Sequence, residues 1–256
     1  MDLMLENKTA LVTGSSRGTG QIIAAHLARE GVSVFVHGLE PGQAETSVDE
    51  IGAGTPVTGD IRTQAGAAAV RSATGAVDIL VNNYGSAAAG SWSSTTEEDW
   101  IDAYQTNVLS AQRMATAMVP GMTTAGWGRI VNLGTVGSTS PAARMPHYYA
   151  SKGALATMTT SLAKEVAGTG ITVNLVSPGL ILTPEVRDAY LERGRRKGWG
   201  DTWEEVEPHI AAEIPIRRIA RREEVADLVA FLTSPLAGAI HGQNVRVDGG
   251  ALGIVA

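Results

Sequence analysis

Cysteine is missing from all 256 residues, which removes disulfides, thiolate metal sites and thiol nucleophiles together and agrees with a reducing compartment. Also missing is any uninterrupted run of about eighteen apolar residues, the length a membrane helix needs. The opening MDLMLENKTALVTG carries acids where a secretory signal needs basic residues, so a cytoplasmic protein is expected. Positive charge is scarce. Twenty Lys and Arg stand against 26 Asp and Glu, for a net −6, and basic clusters such as RGRRKG at 193–198 are short and flanked by acids. Neither nucleic acid nor an anionic membrane is an expected partner. No repeat is visible, and SAAAGSWSSTT at 86–96 reads as a loop.

What is present is alternation. With 44% hydrophobic residues, the chain can bury the core of one α/β domain, and residues 1–256 are read as that single domain. Short apolar runs at 9–13, 32–36, 77–81, 129–133, 171–176 and 244–247 alternate with longer Ala-rich helical stretches. This is the pattern of βαβ units. Right-handed crossovers stack such units into an α/β three-layer αβα sandwich, a Rossmann-type doubly wound parallel sheet. Its ligand crevice lies beyond the carboxyl ends of the strands. TGSSRGTG at 13–20 falls at such an end and leads into the helical QIIAAHLARE. Its Gly14, Gly18 and Gly20 permit a tight turn and close backbone approach, and the helix start offers free N–H groups to a pyrophosphate.

TGSSRGTG, GDI at 59–61, NNYG at 82–85, TNV at 106–108, GRIVNLGT at 128–135, YYASKGAL at 148–155, SPGLILT at 177–183 and VRVDGG at 245–250 follow one another in order. In that set the chain resembles a short-chain dehydrogenase/reductase, of the 3-oxoacyl-(acyl-carrier-protein) reductase kind, over nearly its whole length. The resemblance implies an NAD(P)-dependent enzyme that moves a hydride between nicotinamide and a ketone or secondary alcohol. An epimerase or lyase on the same fold and a non-catalytic nucleotide sensor are the alternatives. The family's tyrosine and lysine, four apart, select Tyr148 and Lys152 and leave Tyr149 as a neighbour. Its active-site hydroxyl, thirteen residues before the tyrosine, falls on Thr135 where serine is usual, with Ser138 as the rival donor. Asn107 is implied to hold a water of a proton relay.

The chemistry needs a proton donor at the carbonyl oxygen, and a tyrosine with a pKa near 10 releases its proton poorly. An ammonium about 4 Å away is expected to lower that value by about three units before desolvation. For the cofactor, the resemblance implies contacts from Gly14, Ser16, Arg17, Gly18, Thr19 and Gly20 of the turn, and from Gly38, Asp60, Ile61, Asn82, Tyr84, Gly85, Tyr148, Lys152, Pro178, Gly179, Ile181 and Thr183. Asp60 is expected to bond the adenine amino group, and Asn82 to steady the central strands. Tyr84 replaces the usual alanine, its ring either stacked near the adenosine or turned outward. NADP(H) is favoured, because Gly38 lacks the acid of NAD-preferring members and Arg17 can pair with a 2′-phosphate. NAD(H) stays possible through Glu40. No metal is implied. His147 is read as a packed or solvated side chain rather than a catalytic one. Residues 184–215 are expected to form a substrate lid, its arginines either solvated or facing an anionic substrate. A homotetramer is expected, built on helices at about 97–119 and 148–167 and on the region from 222 onward.

Overall fold

Alternation within each strand decides which helices cover which face of the sheet. The computed structural model describes residues 2–254. Its first half runs β1 (Thr9–Val12), α1 (Gly18–Arg29), β2 (Ser33–Gly38), α2 (Gln43–Ile51), β3 (Thr55–Thr58), α3 (Gln64–Thr74) and β4 (Ile79–Asn82). Then come α4 (Glu97–Tyr104), a π-helical turn (Gln105–Leu109), α5 (Ser110–Ala125), β5 (Gly128–Leu133), α6 (Pro146–Glu165) and β6 (Ile171–Pro178). A short β7 (Ile181–Leu182), α7 (Pro184–Lys197), α8 (Trp203–Ile210), β8 (Ala220–Arg221), α9 (Arg222–Thr233) and β9 (Asn244–Val247) complete the chain.

The main sheet is parallel throughout, in the order β3-β2-β1-β4-β5-β6-β9. Strand order reverses direction between β1 and β4, and that is where an open α/β sheet leaves a crevice. Ala10, Val12, Ile79, Val81 and Val131 point to one side, into a core shared with α1, α2 and α9. Leu11, Leu80 and Ile130 point to the other, toward α3, α5 and α6. Leu11, Leu80, Ile23 and Met114 are fully buried, each worth roughly 1.5–3 kcal/mol of transfer free energy. The three-layer sandwich expected from the alternation is the one observed.

Three features depart from the sequence pattern. TPVT, too polar to stand out as an apolar run, forms β3. It lies at the sheet edge, where Pro56 needs no donor for a further neighbour. The helix expected at about 97–119 extends over 97–125 and is interrupted at 105–109 by the π turn, with Asn107 in its middle. Third, the stretch 184–215 folds into α7, α8 and a 3₁₀ turn, fastened at its base by the pairing of β7 with β8.

Candidate active site

The glycine turn follows β1 directly. Gly14 and Gly18 sit at φ +60° and +65°, a region L side chains avoid. A Cβ on Gly14 would lie 2.8 Å from Tyr84 Cα. Helix α1 starts at Gly18 with no side-chain cap and no acid in its first turn, so its leading N–H groups stay free for an anion. Gly14, Ser16, Arg17, Leu39, Tyr84 and Gly85 are among the walls of a cavity of about 660 Å³. This cradle suits a dinucleotide pyrophosphate.

A residue the sequence reading passed over anchors the turn. His37, fully buried near the end of β2, accepts the Gly14 N–H at Nδ1 (3.0 Å) and lies 2.8 Å through Nε2 from the Gly59 carbonyl. Its main chain is bonded to Ser15, donating to Oγ (2.8 Å) and accepting from the Ser15 N–H (3.0 Å). Burial lowers its pKa from 6.5, against smaller opposing effects of the Gly59 bond and Asp60. No family motif covers this position, and a histidine ending a strand carries no signal of its own.

The specificity corner differs in detail from expectation. Gly38 leaves no room of its own, because a Cβ there would come 2.9 Å from Gln43 Cβ. Gln43 Oε1 accepts the N–H groups of Leu39 and Glu40. An acid at 38 would therefore meet α2. Glu40 is exposed and lies off the cavity wall, whereas Arg17 lines it. Arg17 is 3.9 Å from Glu185, both widely exposed, an ion pair worth about 0–1 kcal/mol that leaves the guanidinium free to turn.

Asp60 does not line either crevice cavity. Both its oxygens accept from the Arg62 guanidinium at 2.9 Å, and that hydrogen bonding lowers its pKa. Ile61 lies fully in the core. Asn82 donates to Asn132 Oδ1 at 2.8 Å, tying β4 to β5. Tyr84 is turned inward: its half-buried ring stands edge-on to His37 at 6.5 Å, and burial raises its pKa. Gly179 is a packing position, its N–H bonded to the Val247 carbonyl and its Cα against Asp248. Thr183 caps α7 by accepting the Val186 N–H.

At the other end, Thr19, Gly85, Tyr148, Lys152, Pro178 and Ile181 line a second cavity of about 200 Å³ that shares Asn83, Gly85 and Ser86 with the first. Tyr148 and Lys152 occupy successive turns of α6. The Tyr148 phenol is pushed up to about 12 by burial, against a smaller opposing effect of the nearby Thr135 hydroxyl, whose oxygen accepts the Gly137 N–H at 3.2 Å. Ser138 instead donates its hydroxyl to the Thr135 carbonyl (2.8 Å), so Thr135 is the hydroxyl beside the phenol. Tyr149 packs its ring on Gly137, with its centroid 5.3 Å from that of Tyr148.

Lys152 Nζ, buried without a carboxylate, donates to the Leu133 carbonyl at 2.7 Å, and desolvation lowers its pKa to about 8. Lys152 is not among the influences on the phenol, so the three-unit lowering expected from an ammonium at 4 Å is absent and burial sets the upward direction. Asn107 is spent on structure. Its Oδ1 accepts the Ser86 N–H (3.0 Å), and its Nδ2 donates to the Ser86 carbonyl and Ser151 Oγ, each at 3.1 Å. Gly85 passes close beneath this group: a Cβ there would come 2.6 Å from Asn107 Oδ1 and 3.2 Å from Lys152 Nζ and would displace the Asn107 side chain. His147 is buried beneath the 86–96 loop, beside Gly90 and 6.3 Å from the Trp100 ring, and does not line the crevice.

Above this end, the side chains of 184–215 mostly bind one another. Trp199 stacks on His209 at 5.0 Å and Arg193 lies over Tyr190 and Trp199. Arg195 pairs with Asp201 at 3.3 Å. Among the described residues no His, Asp and Glu cluster could hold a metal, and no helix is long and apolar enough to cross a membrane.

A parallel sheet whose switch-point crevice holds a glycine turn at one end and a Tyr–Lys pair at the other defines a nucleotide-binding α/β enzyme scaffold. Residues 14–251 match the family described as enoyl-(acyl carrier protein) reductase, and the chain belongs to it, within the short-chain dehydrogenases/reductases. The chain is 36% identical to the 3-oxoacyl-(acyl-carrier-protein) reductase FabG of Escherichia coli (strain K12), over 96% of this chain and 97% of that one. L-sorbose reductase of Gluconobacter frateurii, solved with NADPH and L-sorbose, superposes with a TM-score of 0.90 at 33% identity, covering both chains in full. An actinorhodin polyketide ketoreductase variant solved with NADPH gives 0.84 at 35% identity over 95% of this chain and 97% of that one. The protein is an NAD(P)-dependent oxidoreductase.

Proposed function

We propose that the protein is an NADP(H)-dependent carbonyl reductase that interconverts a ketone and its secondary alcohol, favouring the alcohol. The observation that carries this reading is the buried Tyr148 phenol, on the wall of the second crevice cavity, with the Thr135 hydroxyl beside it. Two hydroxyls converging on one point suit a single oxygen. Thr135 holds the substrate oxygen by donating to it, and Tyr148 delivers a proton as that oxygen gains charge. A phenol held near 12 is protonated throughout the physiological range, yet it still yields its proton to a nascent alkoxide, a far stronger base. Taking a proton from an alcohol is the harder direction.

Reduced nicotinamide supplies the hydride when bound. Ser16, Arg17, Thr19, Tyr84, Gly85, Lys152, Pro178 and Ile181 line the two cavities and are the residues to hold the dinucleotide. Arg17 on the wall and the exclusion of an acid at Gly38 favour the 2′-phosphate form. Lys152 re-protonates Tyr148, and with the Asn107 side chain committed to Ser86 and Ser151, the Asn107 main-chain carbonyl is the group that steadies the relay water. The folded segment 184–215 serves as the substrate lid.

A cytoplasmic homotetramer goes with this reading. Its support is exposed Trp92, Ile101 and Tyr104, beside a groove that Trp100 shares with the small residues Ala150 and Gly153 of α6. The enzymatic reading is tested by following nicotinamide absorbance with NADPH and NADH against ketones, and with the oxidised forms against secondary alcohols. NADPH-dependent ketone reduction is expected. Product formed with no net nicotinamide change would point to an epimerase or lyase, and no turnover with tight nucleotide binding to a sensor.

A further inference from the structure

We propose that His37 is a positioning residue for dinucleotide binding. By accepting the Gly14 N–H, its unprotonated Nδ1 holds the glycine turn in the conformation that presents Ser16, Arg17 and the start of α1. This rests on the reading of that turn as the dinucleotide site.

The hydrogen bonds fix the tautomer. A backbone N–H only donates, so Nδ1, 3.0 Å from the Gly14 N, carries no proton; a carbonyl only accepts, so Nε2, 2.8 Å from the Gly59 oxygen, carries one. The ring thus ties β1's turn to the end of β3 across the end of β2. Around it, Ser15 Oγ donates to the Val12 carbonyl (2.6 Å), and Ser47 Oγ to the Ser15 carbonyl (2.9 Å). The first two residues of the turn are therefore held from β1, β2 and α2 together, and the one side-chain acceptor for Gly14 is His37. Without it, a partly buried N–H at a positive-φ residue has no protein partner, and although Asn83 Nδ2 still donates to the Gly14 carbonyl at 2.8 Å, the amide side of the turn is loosened.

The same geometry makes the turn sensitive to acid. A doubly protonated ring would set N–H against the Gly14 N–H while itself fully buried. The charged and titratable groups facing the ring are few. Asp60 after β3 favours protonation, but Arg62 neutralises it at 2.9 Å, and Tyr84 after β4 presents a neutral ring. Burial keeps the histidine neutral at physiological pH.

Asparagine and glutamine separate the two ring nitrogens. His37→Asn places an oxygen where Nδ1 stands and retains the Gly14 bond; His37→Gln reaches Gly59 and loses it. Calorimetry should show NADP⁺ binding weakened about tenfold or more in His37→Gln and within about threefold of wild type in His37→Asn, with kcat little changed in both. In the cofactor-free protein, the Gly14 amide should exchange faster in His37→Gln than in wild type or His37→Asn. Wild-type affinity should fall more steeply than that of His37→Asn as pH drops below the ordinary histidine range, the 2′-phosphate titrating alike in both. Equal affinities for the two variants, or unchanged Gly14 exchange in His37→Gln, would overturn the assignment. A wild type that binds neither nicotinamide dinucleotide would instead defeat the reading of the turn, while the Gly14 exchange still decides whether His37 positions it.

Discussion

The glycine-turn end of the crevice and the segment 184–215 are held by different kinds of contact. Around the glycine turn, backbone groups of Gly14 and Ser15 bond to His37 and Ser47, both fully buried. Across 184–215, the polar contacts include an exposed Arg195–Asp201 pair and rings stacked near the surface, Trp199 on His209, over a small apolar core of Trp203, Val206 and Ala211. Buried backbone bonds fix position because breaking one strands a polar group. Exposed pairs cost little to change. If 184–215 is the substrate lid proposed above, the difference separates the cofactor cradle, which tolerates few substitutions, from the choice of substrate, which that segment can alter without disturbing the scaffold.

The largest expected effect lies at the buried end. Tyr148→Phe removes only a hydroxyl and should lower ketone reduction about a thousandfold with NADPH affinity retained, whereas Tyr149→Phe should be mild. Steady-state kinetics beside calorimetry checks both. Thr135→Ala should cost about a hundredfold in kcat, and Thr135→Ser should keep most activity. Ser138→Ala should be nearly silent because that hydroxyl is bonded to the Thr135 carbonyl. A crippled Ser138→Ala would move the oxygen-binding hydroxyl along the loop.

Next in size is a stability effect of Lys152, whose folded pKa of about 8 lies below its ordinary 10.5. The unfolded chain binds more protons between these values, so the penalty of burying the ammonium is full below about 8 and fades as pH rises toward 10.5. Urea melts at about pH 7 and about pH 10 should show wild type gaining roughly 2–3 kcal/mol on Lys152→Met. A constant difference would mean that the ammonium is solvated. Smallest is Arg17→Ala. It should narrow the preference for NADPH over NADH by about tenfold in Kd and leave ketone selectivity unchanged. If ketone selectivity moves instead, the line between the two regions is drawn wrongly.

Much of the sheet was legible in the sequence, because apolar strands are local signals, and the family resemblance pointed to Tyr148 and Lys152, which the fold brings to one cavity, and to Thr135 near the phenol. What was not legible depended on contacts between distant segments. β3 is polar and carries Pro56, which only its edge position explains. The π turn at Asn107 has no pattern of its own. Gly38 looked like an open space, but α2 brings Gln43 against it. Asp60 looked available to adenine, but Arg62, two residues on, takes both its oxygens. His37 gained its role only when β2 placed it beside the turn. In 184–215, Arg193 read as solvent-facing or substrate-facing; it is exposed, with its guanidinium also near the Tyr190 and Trp199 rings, a contact the sequence did not announce.

The central claim is that Thr135 and Tyr148 act together on one oxygen. A double-mutant cycle on kcat/KM for NADPH-dependent ketone reduction, comparing Tyr148→Phe, Thr135→Ala and the double variant, tests it most directly. If the hydroxyls serve one oxygen, the double variant should be no more than about threefold slower than Tyr148→Phe alone. Losses that multiply in full would show two residues working independently and would contradict the account.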